Sequence, residues 1–277
     1  MNTQLNYLKR AATRGFTIAI TLVGISAHAI TVRVHVENVS QPDGLWFTPV
    51  FFGFHDGSYD TFDAGLSAPD SIEALAETGD PSGLVSNISE VSGSKSHVLF
   101  QDGSGAPPGV LFAPGESQSF TIDLDSSLNR YLSFAMMLVP SNDIFFGNPS
   151  PSQFELFDIF GEFQDGFEIN LFGSDIWDAG TEENDFLGAP LSALGGFSTD
   201  TINSSISLLG QEGLDNFSGR PLATGTNLSS NLFAGDQIAR ISVEQVPDST
   251  QYIGFLGAFA LIGFRILSKK RMGRESS

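Results

Sequence analysis

Short segments in which apolar and polar residues alternate recur along the chain, and they limit the possible fold more than any other feature. In segment 30–40, Ile30, Val32, Val34 and Val36 alternate with polar residues, the period of a strand with one buried face. Further strand candidates are 97–101, 118–124, 131–139, 166–172, 201–209 and 238–246. Turn-forming Gly, Pro, Ser, Asn and Asp lie between them, which favours an antiparallel β-sandwich over alternating βαβ units.

Two short helices are predicted to decorate this β-domain. Ser71 is expected to cap a run in which Ile72, Leu75 and Ala76 have helical spacing, and Gly79-Asp80-Pro81 ends it. A second helical turn follows.

The N-terminus has the layout of a secretory signal peptide. Lys9, Arg10 and Arg14 precede an apolar run at 15–25, and Ala27-His28-Ala29 supplies small residues for cleavage. The run is too short to span a bilayer, which takes about 20 residues. We predict a signal peptide at 1–29, cleaved after Ala29; an uncleaved N-terminal helix is the alternative.

The C-terminus combines a short motif, an apolar stretch and a basic cluster. Val246-Pro247-Asp248-Ser249 precedes an apolar run at 252–264, and five basic residues follow from Arg265. Basic residues after an apolar helix hold that end in the cytoplasm, so segment 246–277 is predicted to be a sorting tail with a short transmembrane helix. The arrangement resembles the PEP-CTERM family of sorting tails, in the variant beginning VPDSG that an exosortase handles in Gram-negative bacteria. Thr250 stands where that variant has Gly.

The region between these ends is strongly acidic. Without the three basic residues of the signal, and the five basic and one acidic residue from Arg265 onward, 5 basic and 31 acidic residues remain, a net charge of −26. Such a domain repels nucleic acid and anionic membranes and attracts cations. The chain has no cysteine, so burial must stabilise the fold, with help from a metal where one binds.

Sequence motifs for catalysis are missing. The chain has no Gly-x-Ser-x-Gly elbow, no His-Glu-x-x-His helix and no cysteine nucleophile. His35, His55 and His97 remain after the signal, without metal-ligand spacing. Paired carboxylates are plentiful, so a glycosidase-like pair stays an open alternative. No catalytic residue is predicted.

An acidic loop at 176–185 is the more specific feature. Asp178 and Glu182 flank Gly180, which lets the backbone turn sharply so that both carboxylates can point into one cavity. Oxygen ligands without His or Cys suit Ca²⁺. From spacing alone, an acidic turn in which Asp178 caps its own backbone is an equal alternative.

Four motifs in order resemble the spondin N-terminal domain family. They are HDGSYDTFDAG at 55–65, followed by ALAETGD at 74–80; MMLVPSNDIF at 136–145; WDAGTE at 177–182; and IARISV at 238–243. Together they extend over nearly the whole region 30–245, which we predict to be one spondin-like domain.

The resemblance implies a C2-like antiparallel β-sandwich with short helical insertions and one Ca²⁺ held at one edge. Carried over by position, its ligands are Asp143, Asp178 and Glu182, where Glu182 stands in place of the Asp of animal spondins. The expected function is a non-enzymatic, calcium-stabilised cell-surface or extracellular-matrix domain for adhesion or biofilm matrix. Its expected partners are an extracellular polysaccharide or surface protein, the sorting machinery, and the membrane through the C-terminal helix. The alternatives are a secreted carbohydrate-active enzyme or lectin using surface acids and Trp, and an exopolymer component without a discrete ligand.

Overall fold

The computed structural model describes residues 29–101, 110–184, 203–221, 227–228 and 231–247. Within these residues the chain is mostly β-structure, as predicted. The strands are β1 (Ala29–Asn38), β2 (Trp46–Phe47), β3 (Val50–His55), β4 (Lys95–Leu99), β5 (Ser117–Asp125), β6 (Tyr131–Val139), β7 (Ile144–Gly147), β8 (Phe154–Glu155), β9 (Phe167–Phe172), β10 (Trp177–Asp178), β11 (Ser207–Leu208) and β12 (Gln237–Gln245). The helices are α1 (Asp70–Thr78), α2 (Ser82–Ser89) and α3 (Gly210–Asp215), with a 3₁₀ turn at Gly173–Asp175.

The strands form two sheets in which every pair is antiparallel. The smaller sheet has the order β5-β1-β12-β9, and the larger has the order β11-β10-β7-β6-β3-β4, with β2 and β8 also paired to β6. Val32, Val34 and Val36 of β1 are fully buried and join residues of both sheets in the main core. The predicted face of the first strand and the all-β sandwich are therefore confirmed.

The larger sheet is buried on both faces. One face packs against the smaller sheet, while a second core beneath α1 and α2 includes Phe51, Ala135 and Phe145. Strand β6 lies at the centre, and its residues 132–139 are all buried. This position explains why β6 reads as a nearly continuous apolar run, whereas β5, with one face towards solvent, alternates.

The two helices form where they were predicted, but the predicted cap is wrong. Helix α1 begins after Pro69, and Ser71 lies inside it, accepting a hydrogen bond of 3.2 Å from Asn87 Nδ2. The extended Pro69 takes the cap position instead, so the helix starts two residues earlier than expected. Gly79 ends α1 with φ of 72°, as its position before Asp80-Pro81 indicated.

The predicted strand at 201–209 is wrong for most of its length. Only Ser207–Leu208 pairs as a strand, while 203–206 is irregular and 201–202 lies outside the described residues. The backbone N–H groups of Ser204 and Ile206 donate instead to the carbonyls of Gly180 and Leu66. These bonds to two loops take the donors that a strand ladder would use.

The two predicted ends fall largely outside the described residues, which exclude 1–28 and 248–277. Strand β1 begins at Ala29, so cleavage there would remove only its first position, which pairs with Asp125. Among the described residues, no helix has the length and apolar character needed to cross a membrane. The predicted tail helix lies beyond them.

Candidate functional site: the acidic loop pair

The pairing of β7 with β10 brings two of the three predicted ligands together. Asp178 lies opposite Ile144, and the backbone N–H of Ala179 donates to the carbonyl of Asp143 at 3.0 Å. Asp143 is the last residue of the loop that leaves β6, and residues 179–184 follow β10. We call these two segments, 140–143 and 179–184, together with Asp178, the acidic loop pair.

Gly180 allows the second loop to turn back onto its neighbours. Its φ is +70°, and a Cβ at this position would lie 3.0 Å from backbone and side-chain atoms of Ser204. The carbonyl of Gly180 accepts the N–H of Ser204 at 2.8 Å. A side chain here would therefore be strained in its backbone and would also displace Ser204.

Asp143 is the centre of the acidic loop pair. Its Oδ2 accepts backbone N–H groups from Thr181 at 3.1 Å and from Glu182 at 3.0 Å. The side chain has no exposed surface, and its Oδ1 has no hydrogen-bond partner within the described residues. A buried carboxylate oxygen without a donor is costly, because water no longer solvates its charge.

The surroundings of Asp143 disfavour its ionised form. Burial is the main cause that raises the pKa of Asp143 to about 7; the negative charges of Asp178 and Glu182 act in the same direction, and the N–H groups of Glu182 and Thr181 oppose the shift. Negative charges near a buried carboxyl raise the free energy of ionising it, and this effect is larger in a medium of low dielectric. A proton or a cation at this position would relieve that cost.

The other two predicted ligands lie in the same place. Asp178 Oδ1 accepts the N–H of Gly180 at 2.7 Å, and its Oδ2 accepts from Asn184 Nδ2 at 2.5 Å. Glu182 is only 3 % exposed. The alternative in which Asp178 caps its own loop is thus correct as a description of Oδ1. This hydrogen bond is compatible with a ligand role for Asp178, because a carboxylate oxygen has two lone pairs.

Neutral oxygens around the acids were missed from the sequence. Asn142 Oδ1, Thr181 Oγ1 and Asn184 Oδ1 are buried and have no hydrogen-bond partner in the described part of the chain. The Nδ2 atom of Asn142 donates to the carbonyl of Glu183, which leaves its Oδ1 as the remaining polar atom. The sequence signal for these oxygens was that their residues lie close to Asp143 and Glu182 in the chain.

The donor set fits a hard cation in its chemistry. Carboxylate, amide and hydroxyl oxygens are the ligands Ca²⁺ takes, and no histidine or cysteine is among them. Among the residues described, no group of three or more His, Cys, Asp or Glu side chains is already placed to hold a metal ion. Binding by all three acids therefore requires their side chains to draw closer around the ion.

His55 and Trp46 have structural roles. His55 is fully buried, accepts the N–H of Gly57 on Nδ1 at 3.0 Å and faces Ser133 Oγ from Nε2 at 3.0 Å. Trp46 is buried against Leu111 and Val139. Trp46 is therefore a core residue and offers no stacking surface.

Comparison with known proteins identifies the family. A family model described as Spondin_N matches residues 35–192, more than half of the chain, and this match includes Asp143, Asp178 and Glu182. The chain belongs to the Spondin_N family, whose extracellular character agrees with the predicted export. No curated protein matches the sequence.

Proposed function

We propose that this Spondin_N-family chain is an exported, non-enzymatic surface or matrix domain, which binds one Ca²⁺ through Asp143, Asp178 and Glu182. The observation that carries the proposal is the fully buried Asp143 carboxylate, whose Oδ1 has no hydrogen-bond donor among the described residues. Ca²⁺ would supply the missing positive charge. Asn142 and Asn184 would contribute neutral oxygens from either side.

The role proposed for the ion is to lock two loops at one end of the sandwich. Residues of the chain already hold part of the arrangement, because Asp143 Oδ2 binds the backbone of Thr181 and Glu182. An ion shared by Asp143, Asp178 and Glu182 would tie the loop after β6 to the loop after β10. The ordered domain would then bind an extracellular polysaccharide or a surface protein.

Burial supports a binding role over a catalytic one. Asp143, the carboxyl whose pKa of about 7 would suit an acid–base residue, has no exposed surface and cannot touch a polymer substrate. The lectin or carbohydrate-active alternative also loses Trp46, which is 6 % exposed.

The two ends of the chain support the proposed location. A signal peptide at 1–29 would export the domain, and the tail at 246–277 would direct it to the surface of a Gram-negative bacterium. Its apolar segment would anchor the protein in the inner membrane until the sorting machinery processes it.

A calcium titration followed by thermal unfolding tests the metal site. Calcium at one hundred times its dissociation constant should stabilise the wild-type protein by about 2.7 kcal/mol. For a domain of this size, that corresponds to a rise in Tm of about 5–10 °C. A chelator should reverse the shift.

Asp143→Asn is the informative variant. It keeps the shape of the side chain but removes the buried charge, so it should lose the calcium response and, in chelator, be at least as stable as wild type. Asp165→Asn, at an exposed acid outside the acidic loop pair, should respond like wild type. An equal shift in Asp143→Asn and wild type, or no shift in either, would reject the calcium site.

A further inference from the structure

A groove of about 390 Å³ lies beside strand β9, and none of the three acids proposed to bind calcium lines it. One wall is formed by four consecutive residues of β9, from Glu168 to Leu171. The opposite wall comes from the larger sheet and includes Phe134, Phe154 and Leu208. Consecutive residues of a strand point to opposite faces, so a groove that touches all four must run along the backbone edge of β9.

Strand β9 is the last strand of the smaller sheet, so one of its edges has no neighbouring strand among the described residues. The hydrogen bonds at the C-terminal end of β9 show in which direction each of its backbone groups points. Gly173 N–H donates to Asp236 O on the β12 side at 2.9 Å, whereas Phe172 N–H donates to Asp175 Oδ2 at 2.9 Å. Because these directions alternate along a strand, the backbone groups of Glu168 and Asn170 point away from β12.

Neither of these two residues forms a backbone hydrogen bond outside the sheet ladders in the part of the chain that is described. Their N–H and C=O groups therefore offer a template for another strand. Phe172 is the third residue whose backbone points this way, but its N–H already donates to the side chain of Asp175. The open edge is thus short and defined at one end.

The groove beside this edge also offers apolar contacts. Ile169 and Leu171 face the core between the sheets, and Phe134 and Phe154 belong to the same core. Leu208 is 54 % exposed on the other side of the groove. Alternate side chains of an added strand would point between the sheets, where these apolar groups lie.

The charge of the groove selects among possible occupants. Glu168 and Asp175 line it, and no Lys, Arg or His is among its described lining residues. A second copy of this acidic domain would meet repulsion from the net charge of both molecules. A basic segment would be attracted.

We propose that the groove binds an extended segment of a protein partner with alternating apolar and basic side chains, which adds to β9 as a fifth strand of the smaller sheet. Main-chain hydrogen bonds to Glu168 and Asn170 supply affinity, and the apolar wall selects every second side chain. The inference goes beyond the calcium proposal, because the groove residues do not include Asp143, Asp178 or Glu182.

The test uses the full chain and a displayed library of random twelve-residue peptides as the probe. Enriched peptides should alternate apolar and basic residues. Asn170→Pro removes one outward N–H while sparing the bonds to β12, and it should weaken binding at least tenfold. Asn170→Ala is the matched control, because it removes the same side chain but keeps the N–H, and it should bind within threefold of wild type.

Two further measurements keep the test decisive. Glu168→Lys should weaken binding of the basic peptides about tenfold at low salt, with a smaller difference at high salt. If Asn170→Pro does not fold, N-methylation of alternate residues in the enriched peptide blocks the same bonds from the other side. One set of N-methyl positions should abolish binding, and the other set should be tolerated.

Several results would overturn the proposal. These are no enrichment, equal binding to Asn170→Pro and Asn170→Ala, a concentration-dependent dimer that Asn170→Pro dissolves, or binding of neutral oligosaccharides that is lost in Asn170→Ala. Binding is measured both with saturating calcium and in chelator. The calcium titration tests the calcium site by a separate measurement. A failure of the peptide-binding proposal can therefore be distinguished from a failure of the calcium proposal.

Discussion

Two buried polar clusters lie at opposite ends of strand β6, and they differ in how far their hydrogen bonds are completed. At the start of β6, His55, Ser133 and Asn148 bond to one another and to the backbone. Past its end, Asp143 and Asn142 each keep a buried oxygen without a hydrogen-bond partner in the described residues. We call these the histidine cluster and the acidic loop pair.

The difference separates a cluster that stabilises the fold from the proposed calcium site. A buried polar group that is fully hydrogen-bonded repays its desolvation, whereas an unpaired one costs stability. The histidine cluster fastens β3, β6 and the chain after β7 together without any additional group. We expect the acidic loop pair to gain most from a ligand, because Asp143 Oδ1 has no hydrogen-bond partner among the described residues.

The largest expected effect is at the histidine cluster. Asn148 is 1 % exposed; its Oδ1 accepts Phe134 N–H at 2.9 Å, and its Nδ2 donates to Ser150 O at 2.9 Å. Asn148→Ala should lower the free energy of unfolding by about 3 kcal/mol, because it leaves buried groups unpaired. Denaturant unfolding should give the same loss with calcium and with chelator.

Asn142→Ala, in the acidic loop pair, is the matched control for that experiment. Its cost in chelator should be below about 1 kcal/mol, since it also removes an unsatisfied buried oxygen. The cost should increase when calcium is added. A calcium-dependent loss in Asn148→Ala would remove the distinction between the two clusters.

A smaller effect is expected from the titration of His55. Burial lowers the pKa of His55 to about 4, while the negative charge of Asp56 opposes the shift. Between pH 6.5 and 4, His55 is protonated in the unfolded chain but neutral in the folded one, so stability falls as the pH falls through this window. After allowance for solvent screening, its share should be about 2 kcal/mol.

The measurement is the difference in unfolding free energy between wild type and His55→Gln at each pH from 4 to 7, in chelator. The difference should shrink as the pH falls. His35→Gln, on strand β1, leaves the histidine cluster intact and should keep the pH dependence of wild type. A difference that stays constant with pH would mean that water reaches the imidazole of His55 in the folded protein.

The smallest effect concerns a neutral oxygen of the acidic loop pair. Asn184 donates to Asp178 Oδ2, and its own Oδ1 is buried without a hydrogen-bond partner among the described residues. Asn184→Ala should weaken calcium binding about fivefold, or by about 1 kcal/mol, as read from the titration of Tm against calcium. Asn87→Ala, on helix α2, should leave the calcium midpoint unchanged. An unchanged midpoint in Asn184→Ala would limit the site to the three acids.

The sequence predicted those parts of the fold in which local pattern and tertiary environment agree. The alternation of Val32, Val34 and Val36 located β1, and Gly79 located the end of α1, because each depends on its own backbone and one buried face. The strand predicted at 201–209 was wrong because its backbone donors bond to loops remote in the sequence. The two-residue strand β10 was missed as an element, since it is defined by its pairing with β7 and β11.

For the candidate site, the acidic motifs located Asp143, Asp178 and Glu182, but local spacing could not give their relative burial or their hydrogen bonds. The bond from Ala179 to Asp143 joins residues 36 positions apart. Only that pairing places Asn142 and Asn184 beside the acids. A neutral amide carries no charge signature by which sequence alone would reveal it.

The sequence by itself determined the β-rich character of the chain, its acidic domain and the residue types at the acidic loop pair, because periodicity, charge and motif order are properties of the chain. Within the described residues, tertiary structure alone decided that Asp143 is buried with an unpaired oxygen, that His55 lies in a hydrogen-bonded cluster, and that one edge of β9 has no neighbouring strand. Burial, pairing and edges arise only when distant segments meet and exclude water, and no local pattern of residues specifies them.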